Sequence, residues 1–401
     1  MSDDVLIVGG GPAGMMAGLL FARAGVSVRV LEKHADFFRD FRGDTVHPST
    51  MEILDQLGML GRFLARPHNR LSRAELRIAG RLWAIGDLSH LDTPAPFIAM
   101  MPQWEFLDFL RDEAEIYPGF QLEINAEVES FVEREGRVTG VMLTDGREIH
   151  AAKLVIAADG RSSIVRDSMF PVEHLGAPMD VLWFSLPKSE KSGDAMRGSF
   201  DTGRIVVMID RGNYWQCAFL IPKGKAEELK AQGIGAIRDA VVSAAPELAE
   251  SAKGLDSLDD LHLLSVALDR LTVWHRPGLL AIGDAAHAMS PIGGIGINLA
   301  IQDAVAAANI LALPMVKGRD VDGRLGKVQE RRMLPTRLIQ GAQKAAQDRI
   351  IGRLLQPGPP LTQAALIIRL LDRYPLLRRI PGRFIGLGIR RERVRSPNAY
   401  G

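Results

Sequence analysis

The sequence predicts an α/β protein: a buried parallel sheet covered by helices, a mixed sheet inserted into it, and a helical C-terminal segment. Three observations carry this. Short apolar runs begin near residues 4, 26, 153 and 278 and do not alternate with polar residues, as in strands buried on both faces. Three of these runs end at similar chemistry, in the glycines of residues 9–14, at Asp159-Gly160 and at Gly283-Asp284. Between them, segments 71–100 and 175–270 read as short, more amphipathic strands.

Val5 to Val8 is the first strand, and Gly9, Gly11 and Gly14 then fit the spacing G-x-G-x-x-G. Residues 13–24 hold few polar side chains and read as a buried helix stopped by Gly25. Residues 26–31 form a second strand that ends at Glu32. This is a Rossmann-like βαβ unit. Its first glycine permits a tight turn, its second lets the backbone approach a pyrophosphate, and its third lets the helix sit on the sheet. Glu32 is placed to accept hydrogen bonds from a ribose. The unit implies a dinucleotide without separating NAD from FAD.

A loop and a helix fill residues 34–60, and short strands follow to residue 100. Residues 103–114 read as a helix. Hairpin-like strands come next, with Asp145-Gly146 as a turn. Residues 175–270 mix strands with a helix near 226–245. The strand before Gly283-Asp284 leads through a glycine turn into a long apolar helix, and the remainder is helical and arginine-rich. The expected domains are discontinuous: 1–70, 101–174 and 271–345 for the nucleotide, 71–100 and 175–270 for the substrate, and 346–401 as the C-terminal helical segment.

The 401 residues are 47% hydrophobic and 24% charged, with a formal net charge of +1. That is globular composition, with no global electrostatic case for nucleic acid. The single cysteine, Cys217, excludes an internal disulfide and a multi-cysteine metal site, and no metal is expected. No leader precedes the first strand, and no uninterrupted apolar run reaches the roughly 20 residues of a membrane span. The expected location is cytoplasmic.

The stretches "AADGRSSIVR" (157–166) and "GDAAHAMSPIGGIGINLAIQDA" (283–304), after the N-terminal glycine motif, resemble the flavoprotein aromatic hydroxylases, the para-hydroxybenzoate hydroxylase-like single-component FAD monooxygenases. The resemblance spans residues 4 to about 310 in motif order and spacing. It implies the GR2-type FAD-binding fold and these contacts. Gly9, Gly11, Pro12, Ala13 and Gly14 hold the FAD pyrophosphate, and Glu32 with Lys33 meets the adenosine ribose. Arg42 and Gln103 contact the cofactor, and Val128 contacts adenine through its backbone. Asp159 and Gly160 serve FAD and NAD(P)H, and Gly283 with Asp284 the ribityl region. Pro291 lies beside the isoalloxazine, with Gly294, Gly296, Ile297 and Asn298 along its pyrimidine edge. There a helix N-terminus stabilises the negative charge of reduced flavin. The pattern departs from the family at Ile295, where a polar residue is common, and at Ala300, where glycine is common.

By the same resemblance, NADPH or NADH is a transient reductant and O2 a substrate. A flavin C4a-hydroperoxide then hydroxylates an aromatic or polycyclic, fairly apolar small molecule. Such chemistry needs a dry pocket, for which the second sheet offers Trp83, Met100, Trp183, Met208, Trp215 and Phe219. Alternation puts Tyr214, Gln216 and Ala218 on one face and Trp215, Cys217 and Phe219 on the other, and leaves open which faces the flavin. Tyr214 and His47 are candidates for removing a phenolic proton, while His287 reads as structural. Rival expectations are a halogenase or a lipid-type reductase on the same fold, or a flavin-loaded binding protein. The halogenase motif Trp-x-Trp-x-Ile-Pro is not matched, since Cys217 stands two positions after Trp215. The tail from Ala365 to Arg395 carries nine arginines against Asp372 and Glu392, so a weak peripheral membrane contact is a second expectation beside packing on the FAD domain.

Overall fold

The first strand, Asp3–Val8, lies at the centre of a parallel array. Val28–Leu31 and then Phe120–Glu123 flank it on one side, and Glu148–Ala157 and then Leu279–Ala281 on the other. The structure, a computed structural model, describes residues 3–38, 45–166, 168–188, 197–356, 358–359 and 361–401. Arg42 lies outside the described residues.

Alternation within the apolar strands feeds two cores. Val5, Ile7, Val28, Val30, Leu154 and Ile156 face helices Pro12–Arg23 and Gly296–Val316. Leu6, Val8, Val155 and Ala157 face the opposite layer with Val138, Val141, Phe170 and Trp274. Both faces are covered, which is why these strands carry no polar alternation. Phe120–Glu123 is a parallel strand of this sheet, not part of the hairpin expected there. The hairpin pairs Val128–Arg134 with Arg137–Leu143, which in turn pairs with the start of Glu148–Ala157 around the turn at Asp145-Gly146.

Helix Gly296–Val316 is long and apolar enough on average to cross a membrane, although Asn298, Gln302, Asp303 and Asn309 interrupt its apolar run. With the turn before it, 72% of its most apolar stretch is buried inside the protein. It is a core helix, and alanines at 300, 304 and 307 let it lie close against the first helix.

The second sheet has seven strands in the order His262–Leu264, Met179–Pro187, Tyr214–Pro222, Arg204–Asp210, Arg197–Asp201, Arg73–Ile78, Arg81–Asp87. Its pairings are antiparallel except for Arg197–Asp201 beside Arg73–Ile78. Ile98–Met100 does not join it. That strand pairs with Thr45–Val46 and Asn69–Leu71 in a small sheet between the two large ones.

The C-terminal segment is only partly helical. After the helix turn Gly352–Leu354 come helices Leu366–Arg373 and Arg379–Leu387. The last residues run without helix along the nucleotide-binding half. Ala399 N donates to Arg23 O (2.9 Å), Arg391 pairs with Glu52 (2.8 Å) and Glu392 N donates to Gln302 (3.0 Å).

Candidate active site

The glycine loop is shaped by close approach. Gly9 has φ +103°, a conformation that L side chains rarely adopt. A Cβ on Gly14 would lie 1.9 Å from Gly9 O, whereas one on Gly11 would meet nothing within 4 Å. The third glycine therefore seats the helix on the loop, and the second leaves the backbone open to a ligand. Pro12 opens the helix, where a missing N–H costs nothing. Glu32 is buried and accepts from Gly10 N (2.9 Å) and His34 N (3.0 Å), so it anchors the glycine loop as well as standing where a ribose was expected. Asn125 N and Ala126 N donate to His34 O and Glu32 O, which brings the start of strand Val128–Arg134 beside the same strand end. Gln103 opens helix Gln103–Ala114 and is half-buried.

Beside this loop, strand Glu148–Ala157 delivers Asp159. Its Oδ2 accepts from Ile164 N (3.1 Å), while its Oδ1 is buried with no partner. Burial raises this carboxyl above the usual range, against hydrogen bonds from Ser163 and Ile164 and the charge of Lys33. Gly160 turns the chain away with φ +85°. Arg161 and Arg166, which follow in the same motif, had no role legible in the sequence. Arg161 Nη2 donates to Asp284 Oδ2 (3.2 Å), and its Nη1 is buried and unpaired. Arg166 donates to Asp284 O (3.0 Å), Ala285 O (3.2 Å) and the Asp269 carboxylate. Two arginines thus staple the turn at Asp159-Gly160 to the turn at Gly283-Asp284.

The turn at Gly283-Asp284 is held by a residue given no role from the sequence. Asp303, fully buried on helix Gly296–Val316, accepts from Gly283 N (3.1 Å), His287 Nε2 (2.5 Å) and Arg332 Nε (2.8 Å). Burial alone would raise the Asp303 carboxyl; His287 and Arg332 outweigh it and hold the group low. A Cβ on Gly283 would sit 2.9 Å from Ala13 Cβ and 3.2 Å from Ala300 Cβ. Alanine at position 300 is accommodated because position 283 is glycine.

Pro291 caps the turn Ile292–Gly294, and Gly294 has φ +62° with Thr45 pressed against it. The Asn298 side chain accepts from His47 N (2.8 Å) and Thr50 Oγ1 (2.7 Å) and donates to Thr45 O (3.2 Å) and Gly294 O (3.1 Å). Its amide is a clamp between two loops, so only the main chain at Gly296, Ile297 and Asn298 is left to face a ligand. Those residues form the helix's first turn, whose N–H groups lack intrahelical acceptors.

His47 needs correction as a proton acceptor. It is fully buried, and its Nδ1–H donates to Ile385 O (2.8 Å) on helix Arg379–Leu387. Burial holds it neutral by lowering its pKa to about 4, too weak a base for work near neutral pH. It caps helix Pro48–Gln56 and ties it to the C-terminal segment.

The seven-stranded sheet resolves the open alternation. Ala218, Leu220, Val181 and Ile205 pack with Ile292 of the glycine turn, and in register Tyr214 and Gln216 share their face. Trp183 lies opposite Ala218 and packs also with Met100, Ile209 and Ile385. Its indole Nε1 is buried without a partner. Met208, Trp215 and Phe219 point the other way, into a core with Ile237, Val241 and Leu248 of the outer helix layer, so they leave the set of substrate residues. Cys217 is there too, its thiol pushed far up by burial. Trp83 also leaves the set: it donates to Ile78 O (3.2 Å) and packs with Ala364, Leu361 and Ile368 of the C-terminal segment. Trp183 and Met100 remain, with Tyr214 half-buried at the end of its strand.

Three loops at the carboxyl ends of parallel strands, with the apolar face of the seven-stranded sheet packed against the glycine turn, match a known constellation. The family described as FAD binding domain matches residues 2–342. The chain belongs to the FAD-dependent monooxygenases. This monooxygenase is 32% identical to the 6-methylpretetramide 4-monooxygenase of Streptomyces rimosus, over 98% of this chain and 94% of the relative. It is 28% identical to the pentachlorophenol 4-monooxygenase of Sphingobium chlorophenolicum, over 75% of this chain and 56% of the relative. The fold is shared with PqsL of Pseudomonas aeruginosa, solved in complex with 2-aminobenzoylacetate, at a TM-score of 0.76 and 23% identity over 88% of this chain and 98% of that one. The residues present fit FAD: an open Gly11, an orphaned Asp159 Oδ1 and Arg161 Nη1, and a helix N-terminus behind a glycine turn. Among the described residues no cluster of His, Cys, Asp and Glu could hold a metal ion.

Proposed function

We propose that this monooxygenase hydroxylates an aromatic or polycyclic phenol-like molecule, with NADPH or NADH as reductant, and that Trp183 donates a hydrogen bond to an oxygen of that molecule. The orphaned Trp183 N–H carries the second part. A buried donor without an acceptor costs about 1–3 kcal/mol, and here it faces apolar side chains across from the glycine turn. A substrate oxygen would relieve that cost. The name of the Streptomyces rimosus relative supports a substrate of this class.

When bound, FAD supplies two-electron reduction by the nicotinamide and activation of dioxygen. The chain's own residues do the rest. Gly9, Gly11, Gly14 and the neighbouring amides hold the pyrophosphate, Glu32 and the backbone near Val128 the adenosine end, and Asp159, Arg161 and Asp284 the middle. The first turn of helix Gly296–Val316 would offer its positive end to negative charge on the bound cofactor. Ile209, Met100, Val207 and Ile385 exclude water from the chamber. Tyr214, on the same sheet face, is the group we assign to the substrate's hydroxyl proton. The need for a nicotinamide pool supports a cytoplasmic location.

Candidate aromatics should be screened for accelerated NAD(P)H oxidation under labelled dioxygen. One label atom per product supports hydroxylation. Halide-dependent product, reduction without label, or tight binding without faster NAD(P)H use would assign the site to a halogenase, a reductase or a binding protein.

A further inference from the structure

The C-terminal segment presents a face that nothing among the described residues covers. Helix Leu366–Arg373 has no buried residue. Leu366, Ile367, Leu370, Leu376, Leu377 and Ile380 are all exposed, Leu376 and Ile380 at 69% each. The segment is nonetheless firmly seated. Ile368 packs with Ile78 and Trp83, and a Cβ on Gly382 would fall 2.0 Å from Asp87 O, so helix Arg379–Leu387 lies directly on the end of strand Arg81–Asp87. This is a held surface, not a loose end.

Charge decides what it fits. Asp372 is the only acid between residues 366 and 383. It turns inward, paired with Arg81 (2.9 Å) and accepting from Ala84 N (3.1 Å), and Arg378 also folds back onto Leu371 O and Asp372 O. The outward face therefore carries the exposed Arg369, Arg373, Arg379 and Arg383 among exposed leucines and isoleucines, with no acid between them. A second copy of the chain would bring arginine against arginine, which opposes association. Apolar side chains interleaved with arginines are the pattern of an element lying in a membrane interface, apolar groups at the acyl boundary and guanidinium groups on phosphates.

We propose that this face docks on an anionic lipid bilayer. The same helix carries Ile385 and Leu387 on its inner side, beside Met100 and Ile209. Docking would thus set the substrate chamber about one helix diameter, roughly 10 Å, from the lipid.

The test uses the full-length, flavin-loaded protein in flotation with vesicles of phosphatidylcholine alone or with a third phosphatidylglycerol. Binding to the anionic vesicles should be about tenfold the stronger and should fall at high salt. Ile367→Glu with Ile380→Glu should remove about nine-tenths of it. Arg373→Gln with Arg379→Gln should erase the preference for anionic lipid. All four positions are exposed, so flavin content and melting temperature should stay unchanged. Equal or no binding to both vesicle types, or full binding by the Ile367→Glu/Ile380→Glu variant, overturns the proposal. So does a dimer in light scattering that this variant splits, which would assign the face to a second copy.

Discussion

The nucleotide-binding half and the inserted sheet answer to different constraints. In the first, a residue type is forced by backbone geometry: a side chain at Gly14 would overlap Gly9 O, and Gly294 turns with φ +62° against Thr45. In the second, strand Tyr214–Pro222 is buried on both faces, and its partners alone decide which face sees the chamber. One region is specified by position and is intolerant. The other is specified by packing and can be retuned.

The largest effect that sharpens this contrast lies beneath the nucleotide loops. Asp303→Asn takes from buried Arg332 the nearer of its two carboxylates, leaving Glu392 at 3.4 Å, and weakens the hold on His287 and Gly283 N. Breaking a buried ion pair from one side costs about 3–5 kcal/mol, and urea unfolding should show a loss of that order. A loss under about 1 kcal/mol would mean that the clamp is not structural. None of this was legible in the sequence. Asp303 and Arg332 are 29 positions apart on two helices, and each reads locally as one more polar helical residue. The glycine motifs were legible because the geometry that demands them is local. The strand Phe120–Glu123 was not, because its order in the sheet depends on a partner, Val28–Leu31, about 90 residues earlier in the chain. The outward or inward facing of Trp215 and Trp183 was not, because period-two alternation in an apolar strand yields two equivalent faces.

Next in size is an acid-side effect at the joint between the halves. His47 is held neutral in the folded protein with a pKa of about 4, against about 6.5 when unfolded. Between those values the unfolded chain binds the extra proton, so stability falls as pH drops from about 6.5 toward 4. The expected loss is about 3 kcal/mol. Unfolding midpoints at neutral and acid pH should move together by less in His47→Asn than in the natural sequence. An identical pH slope in the two would remove His47 from the joint.

Gly14→Ala probes the intolerance directly. Overpacking of this kind costs about 1–3 kcal/mol, so FAD retention, read from the absorbance ratio after dialysis, should weaken by about 30-fold. A variant that keeps stoichiometric flavin would show that the loop can yield, and the contrast between the two regions would narrow.

The smallest effect is the most discriminating for the inserted sheet. Trp183 and Trp215 stand on adjacent strands of one sheet and are nearly indistinguishable in sequence context, yet they face opposite layers. Replacing each by Phe keeps an aromatic ring and removes the indole N–H. At Trp183 the lost hydrogen bond to substrate, about 1.5 kcal/mol, should raise KM about tenfold while leaving flavin content and the uncoupled oxidase rate unchanged. At Trp215 the change falls in the outer core, so stability should drop while KM holds. If both variants shifted KM alike, the sheet would be transmitting packing changes through its thickness, and facing alone would not define the chamber. If neither did, the Trp183 donor would be satisfied by something other than substrate, and the chamber's polar recognition would pass to Tyr214 and Gln216 on the same face.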